Sequence, residues 1–272
     1  MESLTPEMEA LKSRLRATWM AGDFGQIAKY SNQWADEFIS GLSVTPGVKA
    51  LDVACGTGNI SLALARRGAD VTGVDIAPNL IEQARARAEA EGLKAHFDEG
   101  DAERLPYEDS SFDLVVTMFG AMFAPRPEKA AAELIRVCRP GGIVSMGNWT
   151  PESFTGKMFK LTSKYAPPPP GVQPPVLWGD ENTVRERLRE GVSDLKLTRR
   201  PVLMDFPFDE EAVVDHFRRY FGPSQRTFES LDPERQGELK KDLVELWKEH
   251  NRATDGTTKV ESEYLEVVAT RA

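Results

Sequence analysis

The stretch Leu51-Asp52-Val53-Ala54-Cys55-Gly56-Thr57-Gly58-Asn59 constrains this chain more than any other. An apolar run with strand character breaks at a glycine-rich turn, and a helical pattern follows. Gly56 and Gly58 can adopt backbone conformations closed to other residues, and they leave no Cβ in the way of a ligand. Such a strand–turn–helix unit, at the head of an alternating α/β pattern, is where a nucleotide-like ligand sits. A dinucleotide fingerprint would carry a third glycine three residues after Gly58; here that position is Ser61. No Gly-Lys-Ser/Thr follows either, so a phosphate-binding P-loop is excluded.

Two acids extend the pattern. The short strand Ala69–Asp75 ends in Asp75, about 20 residues past Gly56, the spacing at which an acid reaches a ribose diol. An ionised carboxylate is a pure acceptor and can take both hydroxyl protons. A third strand-like run, Leu93–Asp101, ends in Gly100-Asp101-Ala102, where a second acid could accept from an exocyclic amine. Either acid alone reads as a solvated loop residue or a helix cap; both in register with the glycine loop point to a site.

With these pieces in place, residues 45–150 resemble a class I S-adenosylmethionine-dependent methyltransferase of the small-molecule, metal-independent kind. The resemblance rests on Leu51–Asn59, Val74-Asp75, Gly100-Asp101-Ala102, Phe112–Met118 and Arg139-Pro140-Gly141-Gly142. It implies S-adenosyl-L-methionine as cofactor, with Asp52, Ala54, Gly56 and Gly58 lining its methionine end. Asp75 would take the ribose hydroxyls, Ile76 would pack on the adenine face, and Asp101 and Ala102 would hold the adenine edge. Met118 would follow the fourth strand at the reacting centre. Asn59 stands where many relatives carry a further glycine.

Composition sets limits. The 272 residues carry 34 basic and 43 acidic side chains, a net charge of −9. With no long basic run, a nucleic-acid or anionic-membrane partner is not expected. Cys55 and Cys138, placed in the glycine loop and in the helix before Arg139, do not suggest a disulfide framework. Met1-Glu2-Ser3 carries no basic-then-apolar signal, and no apolar run is long enough to span a bilayer. A cytoplasmic monomer or homodimer is expected.

The rest of the chain divides around this core. Residues 4–41 read as two helices broken near Gly22-Asp23, the first with Leu4, Met8, Leu11, Leu15 and Trp19 at helical spacing. In the second, Phe24, Ile27, Tyr30, Trp34, Phe38 and Ile39 form a stripe that belongs either to the core or to a lid. The resemblance favours a lid and brings Tyr30 to the cofactor. Pro78–Ala90 is a helix with proline at its first turn and Gly92 just past its end. Phe112–Met118 is a fully apolar strand, Arg126–Cys138 a helix and Gly141–Gly147 a fifth strand. Pro167–Pro170 and Pro174-Pro175 form a stiff extended segment unable to join a helix, either draped over the strand tips or a spacer. Asp180–Glu190 is a helix, Leu195–Phe206 a strand, 209–252 helical with a break at Pro223, and Lys259–Thr270 a last strand.

The expected fold is therefore a doubly wound, seven-stranded, mostly parallel Rossmann-like sheet. It comprises an N-terminal helical cap (1–44), a cofactor-binding core (45–150) and a pocket segment (151–272) with a helical insertion at about 207–253. Phe119, Met122, Phe123, Trp149 and Trp178 suggest an apolar mouth for a small, partly apolar or aromatic methyl acceptor. Phe119–Pro125 holds no acid, so no metal is expected. Of the three histidines, His216 in the insertion is the candidate base; His96 and His250 read as strand and helix-end residues. The expected reaction is methyl transfer to oxygen, nitrogen or carbon. The alternatives are other chemistry on the same cofactor, such as decarboxylation or cyclisation, and a non-catalytic interaction module.

Overall fold

The computed structural model describes residues 5–169 and 171–272. Met1–Leu4 and Pro170, and the expectations placed on them above, lie outside the described residues. The first half runs α1 (Pro6–Trp19), α2 (Gly25–Ala28), α3 (Asn32–Ser40), β1 (Lys49–Val53), α4 (Asn59–Arg66), β2 (Asp70–Asp75), α5 (Pro78–Ala90), β3 (Ala95–Glu99) and β4 (Phe112–Met118). Then come α6 (Pro127–Val137), β5 (Cys138–Trp149), α7 (Phe154–Tyr165), α8 (Glu181–Arg187), β6 (Val192–Phe206), α9 (Glu210–Tyr220), α10 (Gly222–Glu229), α11 (Pro233–His250) and β7 (Thr258–Arg271).

The strands form one sheet in the order β3-β2-β1-β4-β5-β7-β6. The first five are parallel, and β7 enters antiparallel between β5 and β6. Helices cover both faces of the parallel part, so its strands are apolar almost throughout; Ala50, Leu51, Val53, Val115 and Val116 have no exposed surface. Strand order reverses between β1 and β4, which leaves a crevice beyond their carboxyl ends. The turns that close it are unusually near one another. Ala54, after β1, and Phe119, after β4, both have left-handed backbones, at φ 56° and 57°. Between them Gly120 lies so close that a Cβ there would stand 2.6 Å from the Ala54 carbonyl oxygen. Pro201, inside β6, is tolerated because β6 is an edge strand.

Several element boundaries differ from expectation, each for a local reason. The second N-terminal helix is split into α2 and α3. The Asn59 side chain donates to the Ala28 carbonyl (3.0 Å) and to Ser31 Oγ (3.1 Å), fixing the chain at the break. Cys138 opens β5 instead of closing α6. Pro223 sits in the first turn of α10, where a missing N–H costs nothing. A second interruption falls before α11, whose cap Asp232 accepts from the Arg235 N–H at 2.9 Å. Pro175 likewise starts a short 3-10 turn, Pro175–Gly179, where an extended segment was expected.

Replacing Gly120 by alanine forces the two strand tips apart. We expect Gly120→Ala to cost about 1–3 kcal/mol and lower the melting temperature by several degrees. An unchanged thermal transition would show that the tips are not tightly packed.

Candidate active site

The crevice is the mouth of a cavity of about 1680 Å³, counting its open side.

One end is polar. Asp52, at the end of β1, is buried, and its Oδ2 accepts from Ser61 Oγ at 2.6 Å. Ser61, which occupies the third-glycine position, thus anchors this carboxylate. Burial pushes the Asp52 pKa up to about 7. Asp75, at the tip of β2, is buried too; its oxygens accept from the Gly56 N–H (2.8 Å) and the Ala77 N–H (2.9 Å). Burial also raises its pKa. Neither carboxylate has an ion pair among the described residues, and both border the cavity with lone pairs to spare. Ala54, Gly56, Asn59, Ile76 and Ala102 share this wall. Gly58 does not. Its backbone is left-handed at φ 84°, and a Cβ there would meet Ala84 Cβ at 3.2 Å, so it packs closely beneath the loop.

Asp101 also borders the cavity, but with a partner the sequence did not reveal. Lys12 of α1, almost buried, forms ion pairs with Asp101 and with Glu103, the latter at 2.6 Å. Glu103 is sealed and also pairs with Arg126 Nε at 2.8 Å. Arg16, one turn on, reaches Glu99 at 2.9 Å. α1 is thereby fastened across the β3 tip. Its Trp19 packs edge-on against Phe123 and Phe221, joining the N-terminal cap to the insertion over the cavity. Asn59 fastens α2 and α3 in the same way, while its Oδ1 accepts from Arg87 at 2.6 Å.

The other end is aromatic. Phe119 lies flat on Trp149, with ring centroids 3.8 Å apart and planes within 2°. The edge of Trp34 meets both rings, and its indole N–H donates to the Leu203 carbonyl at 3.2 Å. A left-handed backbone in a phenylalanine costs on the order of 1–3 kcal/mol. Here it is held by the Phe119 N–H bond to the Gly147 carbonyl at 2.8 Å. Met118, Phe123 and Tyr30 complete the expected residues on the wall. Met158, Phe159, Met204 and Phe206 join them from elements whose sequence carried no signal of a site.

Besides Gly58, three expected site residues lie off the cavity wall. Met122 and Trp178 are buried in the core at 2% and 1% exposure, off the cavity wall, because the helical turn after β4 and the turn before α8 pack inward. His216 is outside the cavity as well. Its Nε2 donates to the Gln26 carbonyl at 3.0 Å, and its ring packs on Tyr30, Phe208 and Tyr220. Burial lowers its pKa. It fixes α9 to α2. Pro167, Pro168, Pro169, Pro174 and Pro175 do not border the cavity, and among the described residues no cluster of side chains could hold a metal.

Comparison with known proteins agrees with this geometry. Residues 50–142 match the family described as a methyltransferase domain. An uncharacterised protein of Mycobacterium tuberculosis is 38% identical over 97% of this chain and 96% of its own length. A demethylmenaquinone methyltransferase of Thermus thermophilus is 47% identical over 35% of this chain and 44% of its own. Among solved structures, a methyltransferase-like protein of Bacillus halodurans superposes with a TM-score of 0.59 at 20% identity, covering 87% of this chain and 97% of its own.

The Lys12 contacts predict how the cap is held. Lys12→Ala leaves Asp101 and Glu103 one cation short, at a cost on the order of 2 kcal/mol because Asp101 retains access to water. We expect faster tryptic cleavage at Arg14 and Arg16 with little change elsewhere. Cleavage at the wild-type rate would remove Lys12 as the anchor.

Proposed function

The chain belongs to the class I S-adenosylmethionine-dependent methyltransferases, and from that premise we propose that its acceptor is a small, partly apolar or aromatic molecule. One observation carries this. The charged residues on the cavity wall, Lys12, Asp52, Asp75 and Asp101, all stand at the polar end, and the rest of the wall is mainly aromatic and aliphatic. An acidic protein of net charge −9 with such a mouth suits neither a nucleic acid nor an anionic surface. The Thermus relative matches over about a third of this chain, so the acceptor in its name is not carried over.

The polar end fits the cofactor on its donor set alone. Two buried carboxylates without cations have lone pairs free for an ammonium and for ribose hydroxyls. We assign Asp52, Ala54, Gly56 and Asn59 to the methionine end, Asp75 to the ribose and Ile76, Asp101 and Ala102 to the adenine. Tyr30 and Met118 border the reacting centre. When bound, S-adenosylmethionine supplies a methyl group on a positive sulfur, which a nucleophile takes in line while a neutral thioether leaves.

The protein's own contribution is position and dryness. Among the described residues, those up to 44 and the insertion at about 207–253 cap the core at 45–150, with those from 151 onward shaping the acceptor end. Holding acceptor and methyl at near-attack distance can supply roughly 7–11 kcal/mol. Apart from these cofactor-side groups, no carboxylate or histidine lines the cavity among the described residues, so the nucleophile must arrive deprotonated or need no base. Oxygen, nitrogen and carbon acceptors all satisfy that condition.

Two measurements test the assignment. Asp75→Ala should weaken S-adenosylhomocysteine binding at least tenfold by calorimetry; unchanged affinity would sink the ribose role. The bound ammonium favours ionised Asp52, so below about pH 7 binding must first expel a proton. Affinity should therefore fall as pH drops through 7, by up to tenfold per unit, and the dependence should vanish in Asp52→Asn. For the acceptor, isotopic methyl from the cofactor should appear in small aromatic compounds; label confined to RNA or protein would overturn the proposal.

A further inference from the structure

We infer that Thr155 is the hydrogen-bond donor that positions the acceptor, and that the acceptor carries a carbonyl oxygen on its aromatic frame. This rests on the acceptor class proposed above. Thr155, in the first turn of α7, is 2% exposed and borders the cavity, while its neighbour Ser262 of β7 is equally buried but does not reach the wall. Ser262 Oγ accepts from the Thr155 N–H at 3.3 Å, and the two hydroxyl oxygens lie 3.0 Å apart.

Two arrangements of the shared proton satisfy those distances, and they differ in what they leave over. If Thr155 donates to Ser262, the Ser262 hydrogen has no acceptor among the described residues, since its oxygen meets only the Thr155 N–H and hydroxyl. A buried donor without a partner is costly. If Ser262 donates to Thr155, the Thr155 hydrogen remains, and it can turn toward the cavity, where a ligand can accept it. The second arrangement strands nothing once the cavity is filled. Thr155 is then oriented from behind by two contacts with β7, a strand paired with the same β5 that carries Trp149.

The rest of the acceptor end selects the frame. The Phe119–Trp149 stack and the Trp34 edge favour a flat aromatic ring. Of the other small hydroxyls on the wall, Ser31 donates to the Ala28 carbonyl at 2.9 Å and is spent, and Thr57 stands at the polar end in the glycine loop, where its Oγ accepts from Arg87 at 3.2 Å. Tyr30, whose ring packs on Phe206 at 4.8 Å, is the competing donor. An oxygen that only accepts matches a wall that offers a donor and no base. A carbonyl meets that condition, whereas a protonated hydroxyl brings a hydrogen of its own that needs an acceptor.

The test uses 1-indanone and indane, which differ by one carbonyl, titrated into the full chain saturated with S-adenosylhomocysteine. The wild type should bind the ketone roughly tenfold more tightly, the worth of one hydrogen bond to a preorganised donor. Thr155→Val keeps the shape and should erase that preference while leaving indane affinity unchanged. Thr155→Ser should restore the preference, and Ser262→Ala should reduce it. No preference in the wild type, a preference that survives Thr155→Val, or one lost in Tyr30→Phe instead would each overturn the inference. Failure of the wild type to bind S-adenosylhomocysteine at all would be a different result, striking the cofactor assignment and not the role of Thr155.

Discussion

One carboxylate sets the geometry on which the polar end depends. Asp75 accepts from Gly56 on one side and Ala77 on the other, so it joins the turn after β1 to the turn after β2. Both turns would otherwise be short loops with unsatisfied N–H groups facing a crevice. The burial that makes Asp75 useful also raises its pKa, and the two backbone donors oppose that shift. The left-handed turns at Ala54 and Phe119 follow from the same crowding, since two parallel strand tips must bend apart around Gly120.

What the sequence disclosed and what it hid follow a physical division. Local chemistry was legible: the glycine turn, the acids at strand tips, and a helix opened by Pro78 and closed before Gly92 all declare themselves within a few residues. The parallel core was legible because burial on both faces leaves long apolar runs. Partners distant in the chain were not. Lys12 looked like one charge among several on an amphipathic helix, and nothing near it signals an acid 89 residues away. Asn59 looked like a lapse from a glycine pattern, yet its side chain holds α2 and α3 in place. Trp178 and Met122 illustrate the converse. An aromatic or a methionine beside a mouth fits core and pocket equally well, and only packing decides.

His216 shows how packing can occupy a residue of reactive type. A histidine in an insertion near the mouth has the right chemistry for a base, but its ring nitrogen is bound to a backbone carbonyl and its faces are covered by aromatics. The acceptor end instead offers a hydroxyl pair, a feature for which threonine and serine give no sequence signal because they are common at helix starts for capping reasons.

The position of β7 bears on how this chain is made. β7 lies between β5 and β6 although it follows both in sequence. While residues emerge from the ribosome, β5 must wait with one edge open and its apolar faces partly uncovered until residues 258–271 have left the exit tunnel. The long pairing of β6 with β7 cannot form earlier either. An unpaired edge is a template for wrong partners. A nascent chain stalled before residue 258 is thus the stage most exposed to aggregation, and the one at which a chaperone would find the most to hold.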